Sequence, residues 1–180
     1  MVKRVRAYVG LGANVGDTRA NLRHAVRALT ALPGVSPRGV SRLYRTKPVG
    51  LTDQPDFLNA VVALNVPHGP DPETGALALL AALKVLEVAI GRKVRKHWGP
   101  REIDLDLLIF GRHHIKVVRP DGRWLEVPHT DAHERLFVLA PLADLAPWLV
   151  PPGWGESVET ARRRVAADEP PNAVQVVGKL

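Results

Sequence analysis

The chain has 180 residues, of which 46% are hydrophobic, with a formal net charge of +7 and no cysteine. This length allows one compact domain with a substantial core and is short for two, so a single domain over residues 1–180 is expected. Without cysteine, disulfides, thiolate zinc sites and cysteine nucleophiles are excluded, and any metal would be bound by carboxylates, histidines or backbone oxygens. The positive charge favours an anionic partner, but it does not distinguish nucleic acid, membrane phosphate and nucleotide.

The sequence carries no signal for export or membrane insertion. No apolar run approaches the length needed to cross a bilayer, and the N-terminal residues lack the apolar block and small-residue cleavage site of a secretory signal. These features predict a cytoplasmic protein with no membrane partner.

The first half of the chain predicts three strands and two helices. Asp17 and Asp71 stand where side chains cap the start of a helix, while Gly34 and Gly91 stand where the helices end. Alternating or β-branched residues predict strands at 5–11, 38–45 and 57–66. The residues from Thr46 to Pro55 include two prolines and a glycine between the last two strands, and they predict a mobile loop.

The second half opens with a basic segment, residues 92–101, that leads directly into a strand at 103–110. Further along, we predict a short hairpin near 111–118, a turn at 120–122, an irregular segment at 127–129, an apolar core stretch at 135–145, a helix at 157–167 and a β patch at 174–177. The order β-α-β-β-α-β is typical of an α+β, ferredoxin-like fold, with helices packed on an antiparallel sheet and, here, appended C-terminal elements.

Asp104 and Asp106 are the strongest chemical signal in the sequence. The period of two in a strand places both carboxylates on one face, and on the other face Ile103, Leu105, Leu107 and Ile109. Two adjacent carboxylates repel each other unless a cation lies between them, and oxygen ligands on a strand suit one or two Mg²⁺ ions shared with substrate phosphates. The alternative is the solvated polar face of an edge strand.

The basic segment next to this strand contains Arg92, Arg95 and Arg101. Arginines in a loop can position phosphates and neutralise the charge of their oxygens, which is most of what phosphoryl transfer requires. The alternatives are a solvated run of charge, or a single-stranded nucleic-acid surface in which Trp98 stacks on bases. A polyanion-binding surface seldom has two unmetallated carboxylates at its centre, which counts against nucleic acid.

Glycines at positions 10, 12 and 16 follow the first strand and precede a helix, as in dinucleotide-binding folds. The acidic residue that would bind a ribose is missing, because no Asp or Glu occurs between Thr18 and Thr52. A tight turn with packing glycines is therefore the preferred interpretation. No glycine loop ends in Gly-Lys-Ser or Gly-Lys-Thr either, so an ATP-using enzyme here would not belong to the P-loop class.

Two further pairs of residues suggest binding functions. Phe57 and Asn59 lie two apart on one strand face and offer an aromatic ring beside an amide, which suits a flat heterocycle, although each by itself is more often part of a core or cross-strand pair. His129 and His133 are four apart, but the preceding Pro128 and the lack of a His-Glu-x-x-His order argue against a helical zinc pair. We therefore interpret His129 as a phosphate or substrate contact.

Six segments together resemble the 6-hydroxymethyl-7,8-dihydropterin pyrophosphokinase (HPPK) family over residues 6–147. They are residues 8–17, 41–50, 53–60, 98–108, 127–129 and 135–142, of which 98–108 is the most specific. The resemblance implies transfer of pyrophosphate from ATP to the hydroxymethyl group of 6-hydroxymethyl-7,8-dihydropterin with release of AMP, in folate biosynthesis. It also implies two Mg²⁺ ions. The partners would be the pterin and ATP, with no nucleic acid, in a monomer or weak homo-oligomer.

The resemblance also implies roles for single residues. The two Mg²⁺ ions would be bound by Asp104 and Asp106, which with Arg92 and Arg101 form the catalytic set. The remaining ATP contacts would be Glu87, Arg95, Trp98, His129 and Arg135. The pterin would be held by Thr46, Pro48, Val49, Phe57, Asn59, Trp98 and Phe137, with the two phenylalanines stacking on its faces. Residues 153–180 match no motif and have no assigned role.

Overall fold

The computed structural model describes residues 3–93 and 99–180. These residues form eight β-strands, four α-helices and one short 3-10 helix. In chain order the elements are β1 (Arg4–Ala13), α1 (Thr18–Thr30), β2 (Ser36–Val40), β3 (Arg42–Thr46), β4 (Phe57–Pro67), α2 (Pro72–Ile90), β5 (Asp104–Phe110), β6 (Ile115–Val118), β7 (Trp124–Val127), the 3-10 helix (Ala132–Glu134), α3 (Leu136–Leu145), α4 (Val158–Asp168) and β8 (Val174–Lys179).

The main sheet is antiparallel and has six strands. Its order is β5-β1-β4-β3-β8, and β2 pairs with β4 beside β3. Strands β1 and β4 are central, and α1 and α2 make the two crossovers, so the predicted ferredoxin-like arrangement is confirmed. Strands β6 and β7 form a separate two-stranded sheet.

Helices cover both faces of this sheet because its strands alternate apolar residues on each side. Val9 and Leu11 of β1 point into one buried cluster with residues of α1 and α2, whereas Tyr8 points into a second cluster with residues of α3 and α4. Fully buried leucines occur in both clusters, and each contributes roughly 2 kcal/mol relative to an exposed side chain. The sheet is therefore held rigidly between two layers of helices.

Capping contacts confirm the predicted starts of α1 and α2 and the predicted end of α2, whereas α1 ends at Thr30, four residues before the predicted stop at Gly34. The Asp17 carboxylate accepts a hydrogen bond from the Ala20 amide at 3.0 Å, and the Asp71 carboxylate accepts one from the Thr74 amide at 2.8 Å. Helix α2 ends at Gly91, whose φ of 106° is the left-handed conformation that glycine adopts without strain. This C-terminus places Arg92 beside Asp104 of β5.

Three local predictions were wrong. The predicted strand at 38–45 is interrupted at Ser41, so it is two strands, β2 and β3. The hairpin predicted near 111–118 is formed instead by β6 and β7, which pair over 115–127 around the 120–122 turn. Ile109 lies in the second buried cluster, opposite Leu105 and Leu107, because the register between β1 and β5 shifts at Leu108.

The segment at 153–180 extends the fold. Helix α4 packs on α3, and β8 adds an outer strand next to β3, with Val174 paired to Thr46. The Arg19 guanidinium donates to the backbone oxygens of Val177 and Lys179, which ties α1 to this strand. Across the described ranges, no helix combines the length and apolarity needed to cross a bilayer.

Candidate active site

A cavity of about 1120 Å³ opens at the end of the sheet where β1 ends and β4 and β5 begin. Its walls come from β1, β4, β5, the end of α2, the β6–β7 hairpin and the start of α3. This volume exceeds the roughly 300–1,000 Å³ of most small-molecule sites. The cavity is therefore large enough for two small ligands side by side.

Two glycines of β1 form the floor of this cavity. Gly12 pairs with Asp104 of β5 on one side and with Asn59 of β4 on the other, while Gly10 pairs with Asp106. A Cβ atom on Gly12 would lie 2.9 Å from the Asn59 Oδ1 atom. The preference for a tight turn was thus wrong at these two positions, which lie inside a strand. Because they have no side chains, they leave the space above the strand open to the cavity.

The two aspartates of β5 both line the cavity, and the buried Leu105 between them points into the core. Burial, and then the neighbouring Asp104 carboxylate, raise the pKa of Asp106 above its ordinary value, although Lys84 and His129 act in the opposite direction. The site thus holds an unfavourable concentration of negative charge, which a bound cation would relieve.

Arg92 and Arg101 reach this pair from opposite ends of the basic segment. The Arg92 guanidinium lies 2.8 Å from Asp104 Oδ1 and also forms an ion pair with Glu87, while Arg101 is bonded to Asp104 Oδ2. Burial alone would lower the pKa of Arg92, but the carboxylates of Asp104 and Glu87 more than offset this and raise it. Arg92 is therefore charged, and both guanidinium groups already lie beside Asp104.

Glu87 of α2 is hydrogen-bonded to the strand that carries the aspartates. It is 3% exposed, and Oε1 accepts hydrogen bonds from the Leu105 amide at 2.7 Å and from Lys84 at 2.8 Å. Lys84 also donates to the Leu105 carbonyl oxygen at 3.0 Å. Glu87 lines the cavity, and its hydrogen bond to Leu105 ties α2 to the strand that carries the aspartates. Lys84 was missed by sequence reasoning, although it stands three residues from Glu87.

The other side of Gly12 presents the residues predicted to bind a heterocycle. Asn59 is 8% exposed, and its Nδ2 donates to the Thr46 Oγ1 atom at 2.7 Å, which fixes the amide's orientation. Phe57 and Phe137 line the same part of the cavity from β4 and α3, and Val49 lines it with 54% of its surface exposed. Pro48 is half-buried and lies away from the lining.

His129 and Arg135 line the cavity near the start of α3. The His129 amide donates to the Leu108 carbonyl at 2.9 Å, which fixes the backbone beside β5. Arg135 forms an ion pair with Asp131 at 2.6 Å, and its guanidinium lies 5.8 Å from the centre of the Phe137 ring. The predicted ATP contacts Arg95 and Trp98 lie outside the described residues.

The β6–β7 hairpin was missed as part of the site because the sequence placed the hairpin too early. The connecting turn and β7 line the cavity beyond α2 with six residues: Arg119, Asp121, Arg123, Trp124, Leu125 and Glu126. Trp124 is 60% exposed, and Lys116 lies 5.8 Å from its ring. An exposed aromatic ring at a cavity wall is a signal that sequence reasoning could have used once the hairpin was placed correctly.

A sequence model of the family described as 7,8-dihydro-6-hydroxymethylpterin-pyrophosphokinase matches residues 8–147, which is more than half of the chain. The chain belongs to the HPPK family. The match spans β1 to the end of α3 and therefore includes every described site residue named above, whereas α4 and β8 lie beyond it.

Named relatives of this HPPK family member cover most of its length. The 2-amino-4-hydroxy-6-hydroxymethyldihydropteridine pyrophosphokinase of Methylorubrum extorquens is 42% identical over 168 residues, which are 92% of this chain and 94% of the relative. The protein of the same name from Pseudomonas aeruginosa is 42% identical over 147 residues, which are 82% of this chain and 83% of the relative.

Solved HPPK-DHPS structures share the fold of this HPPK family member. Wild-type HPPK-DHPS of Plasmodium falciparum with pteroate matches with a TM-score of 0.71 and 14% identity, over 93% of this chain and 43% of that chain. A second HPPK-DHPS structure, in complex with substrates, has the same TM-score and identity and is covered over 44%. The chain spans less than half the length of these proteins, and the likeness shows the fold alone.

Proposed function

We propose that this protein transfers pyrophosphate from ATP to the hydroxymethyl group of 6-hydroxymethyl-7,8-dihydropterin and releases AMP. The single observation that carries the proposal is the arrangement across Gly12, which separates the Asp104 carboxylate from the Asn59 amide in one cavity. A phosphate-binding half and a heterocycle-binding half thus adjoin each other on one strand pair. The named pyrophosphokinases that are 42% identical to the chain support the same reaction.

The aspartate pair fits Mg²⁺. Both carboxylates lie on one strand face in the cavity, and burial, followed by the Asp104 carboxylate, raises the pKa of Asp106. In the described part of the chain, no cluster of three or more His, Cys, Asp or Glu could hold an ion unaided. Mg²⁺ prefers one or two protein carboxylates together with substrate phosphates and water, so Asp104 and Asp106 would bind two ions with the triphosphate. Such ions reduce the charge of the phosphate oxygens.

The two arginines bind the triphosphate. Each guanidinium is bonded to a different oxygen of Asp104, so that carboxylate is fully engaged by Arg92 and Arg101. When the triphosphate enters, we expect both guanidinium groups to move to its oxygens, which leaves the Asp104 carboxylate available as a metal ligand. Positive charge then surrounds the transferred group, where phosphoryl transfer requires it.

The pterin lies against the other half of the cavity. Phe57 and Phe137 stack on its ring, and Asn59 binds its polar edge through the amide oxygen and the second N–H of the amide, since the first N–H is bonded to Thr46. The hydroxymethyl group then faces the aspartates across Gly12. Its oxygen forms a bond to the β-phosphorus of ATP while the bond from that phosphorus to the oxygen bridging to the α-phosphorus breaks. AMP leaves with the bridging oxygen, and the hydroxyl proton is released to water.

The nucleoside would lie beyond the phosphate-binding half of the cavity, between α2 and the β6–β7 hairpin. Trp124 provides an exposed aromatic surface there, and Leu125 provides a buried apolar one. His129 and Arg135 lie between this end and the pterin, within reach of the phosphates. The rest of the proposal is a single-domain enzyme that acts as a monomer or weak homo-oligomer on ATP and the pterin, in the cytoplasm and without nucleic acid.

The test is to incubate the protein with ATP, Mg²⁺ and 6-hydroxymethyl-7,8-dihydropterin, beside a control without the pterin, and to separate the nucleotides by chromatography. Pterin-dependent AMP together with a pyrophosphorylated pterin is the expected result. ADP as the product would mean single phosphoryl transfer, and no nucleotide product would reject the proposed reaction. Steep salt-dependent binding of oligonucleotides that survives loss of Asp104 would then favour a nucleic-acid-binding module instead.

A further inference from the structure

Asn14, the first residue after β1, is buried and forms two hydrogen bonds with the backbone of Arg101. It is 4% exposed, its backbone N–H donates to the Arg101 carbonyl at 2.9 Å, and its side-chain Oδ1 accepts from the Arg101 backbone N–H at 2.8 Å. Both backbone groups of Arg101 are therefore fixed by one residue. The Arg101 side chain extends from this point to Asp104.

The same side chain binds the loop on the pterin side of the cavity. Asn14 Nδ2 donates to Gln54 Oε1 at 2.9 Å and to the Pro55 carbonyl at 3.0 Å. Gln54 in turn donates to the Leu51 carbonyl at 2.6 Å, so the end of the Thr46–Pro55 loop is held in one shape. Phe57, which lines the cavity, follows two residues later.

The chemistry of these contacts requires an amide. An asparagine side chain has two N–H donors and one carbonyl acceptor, and here both donors are used on the loop while the acceptor is used on Arg101. A carboxylate could accept from Arg101 but could not donate to the loop. A hydroxyl could serve only one of the two partners as donor. The contacts therefore also fix which end of the amide faces which segment.

We propose that Asn14 is a positioning residue that couples the pterin-side loop to Arg101, so that the conformations of the two halves of the cavity depend on each other. This inference rests on the proposed function, because it assigns the loop to the pterin and Arg101 to the triphosphate. Through Asn14, occupancy of the phosphate half restrains the loop that encloses the heterocycle half. Binding of the nucleotide then raises the affinity for the pterin, and the reverse holds equally.

The test uses Asn14→Asp, which keeps the size of the side chain and its acceptor but removes both donors to the loop. Pterin affinity is measured by calorimetry with and without Mg²⁺ and an ATP analogue whose α–β bridging oxygen is replaced by a methylene group. We expect the wild type to bind pterin about tenfold or more tightly with the analogue present, within the usual range of coupling between sites. In Asn14→Asp this ratio should fall to roughly threefold or less, with a raised pterin KM.

Two further variants separate coupling from general damage. Asn21→Asp is the matched control, because Asn21 Nδ2 donates to the Glu102 carbonyl at 3.0 Å and, in the described part of the chain, is bonded to no residue of the Thr46–Pro55 loop. Its ratio should equal that of the wild type. Gln54→Ala removes one loop acceptor without touching Arg101, so it should lower the ratio, and adding it to Asn14→Asp should lower the ratio no further.

The proposal is overturned if Asn14→Asp keeps the wild-type ratio, if Asn21→Asp lowers it equally, or if the wild type shows no coupling. If Asn14→Asp does not fold, the ratio of pterin affinities in Gln54→Ala decides whether the proposal holds. Failure of this inference is distinguishable from failure of the proposed function, since the wild-type assay for pterin-dependent AMP is independent of the ratio. AMP formation with an unchanged ratio in both variants would reject only the role of Asn14.

Discussion

Glu87 of α2 accepts a hydrogen bond at 2.7 Å from the backbone amide of Leu105, the residue between the two aspartates. The strand that carries the proposed metal ligands is thus held in place by a buried charge from the neighbouring helix. Lys84 and Arg92 neutralise that charge. Such an arrangement is costly to break, since removal of one member leaves buried charged or polar groups without partners.

Glu87→Ala is therefore expected to destabilise the protein by about 3 kcal/mol, the usual cost of removing one partner from a buried ion pair. The measurement is the free energy of unfolding from urea denaturation. Glu73→Ala is the matched control, because Glu73 is an exposed glutamate in the first turn of the same helix. Its loss should cost less than about 1 kcal/mol. Equal effects of the two substitutions would contradict the bracing role of Glu87.

Gly12→Ala should impair pterin binding. The new Cβ atom would lie 2.9 Å from Asn59 Oδ1, so the amide would have to leave the position that Thr46 holds. We expect the pterin KM to rise about tenfold, the equivalent of 1.4 kcal/mol, with a smaller change in the KM for ATP.

Gly10→Ala is the comparison for this prediction. Its Cβ atom would meet only the Leu108 side chain, at 3.4 Å, which a flexible leucine can accommodate. The pterin KM should therefore change less than in Gly12→Ala. If both variants raise it equally, the clash with Asn59 is not the cause.

Asp106→Asn should lose activity and gain stability. Turnover should fall at least about a hundredfold, because a charged group at the reacting phosphates is lost. The pKa of Asp106 is raised in the folded state, so the unfolded state holds the ionised form more easily, and stability falls as pH rises above the ordinary carboxyl pKa. Removing the charge should therefore raise the urea midpoint at pH 7 in metal-free buffer.

Added Mg²⁺ with an ATP analogue provides the complementary measurement for Asp106. Ligands that bind only the folded state stabilise it, so both additions together should raise the wild-type urea midpoint. The increase should be smaller in Asp106→Asn. An equal increase in the two proteins, or a midpoint at pH 7 lower than that of the wild type, would contradict the assignment of this residue.

His113, which lies outside the cavity, should make the free energy of unfolding depend on pH. Burial, followed by the positive charges of His68 and Lys3, lowers the pKa of His113, and the His68 ring lies 5.3 Å away. The unfolded chain then binds the proton more tightly than the folded protein, so stability is retained above about pH 6.5 and declines as pH falls through that value. His113→Asn should flatten this decline, as measured by unfolding at a series of pH values.

His24 is the control for the pH series, because it is exposed on α1. His24→Asn should leave the decline between pH 7 and pH 5 unchanged. A decline that persists in full in His113→Asn would contradict its assignment to His113.

The sequence by itself determined the starts of α1 and α2, the end of α2 and the chemical character of the site. Capping residues such as Asp17 and Asp71, and the left-handed Gly91, act within a few residues of the helix ends they define, so local patterns predicted those ends. Strand alternation placed Asp104 and Asp106 on one face for the same reason.

Tertiary structure alone decided which residues meet. Cross-strand register placed Gly10 and Gly12 opposite the aspartates, and the shift at Leu108 moved Ile109 to the other face. Neither is encoded in a local period, because register depends on pairing between distant segments. The contacts of Glu87 with Leu105 and of Asn14 with Gln54 join residues 18 and 40 positions apart, and they exist only because the folded sheet brings separate segments together.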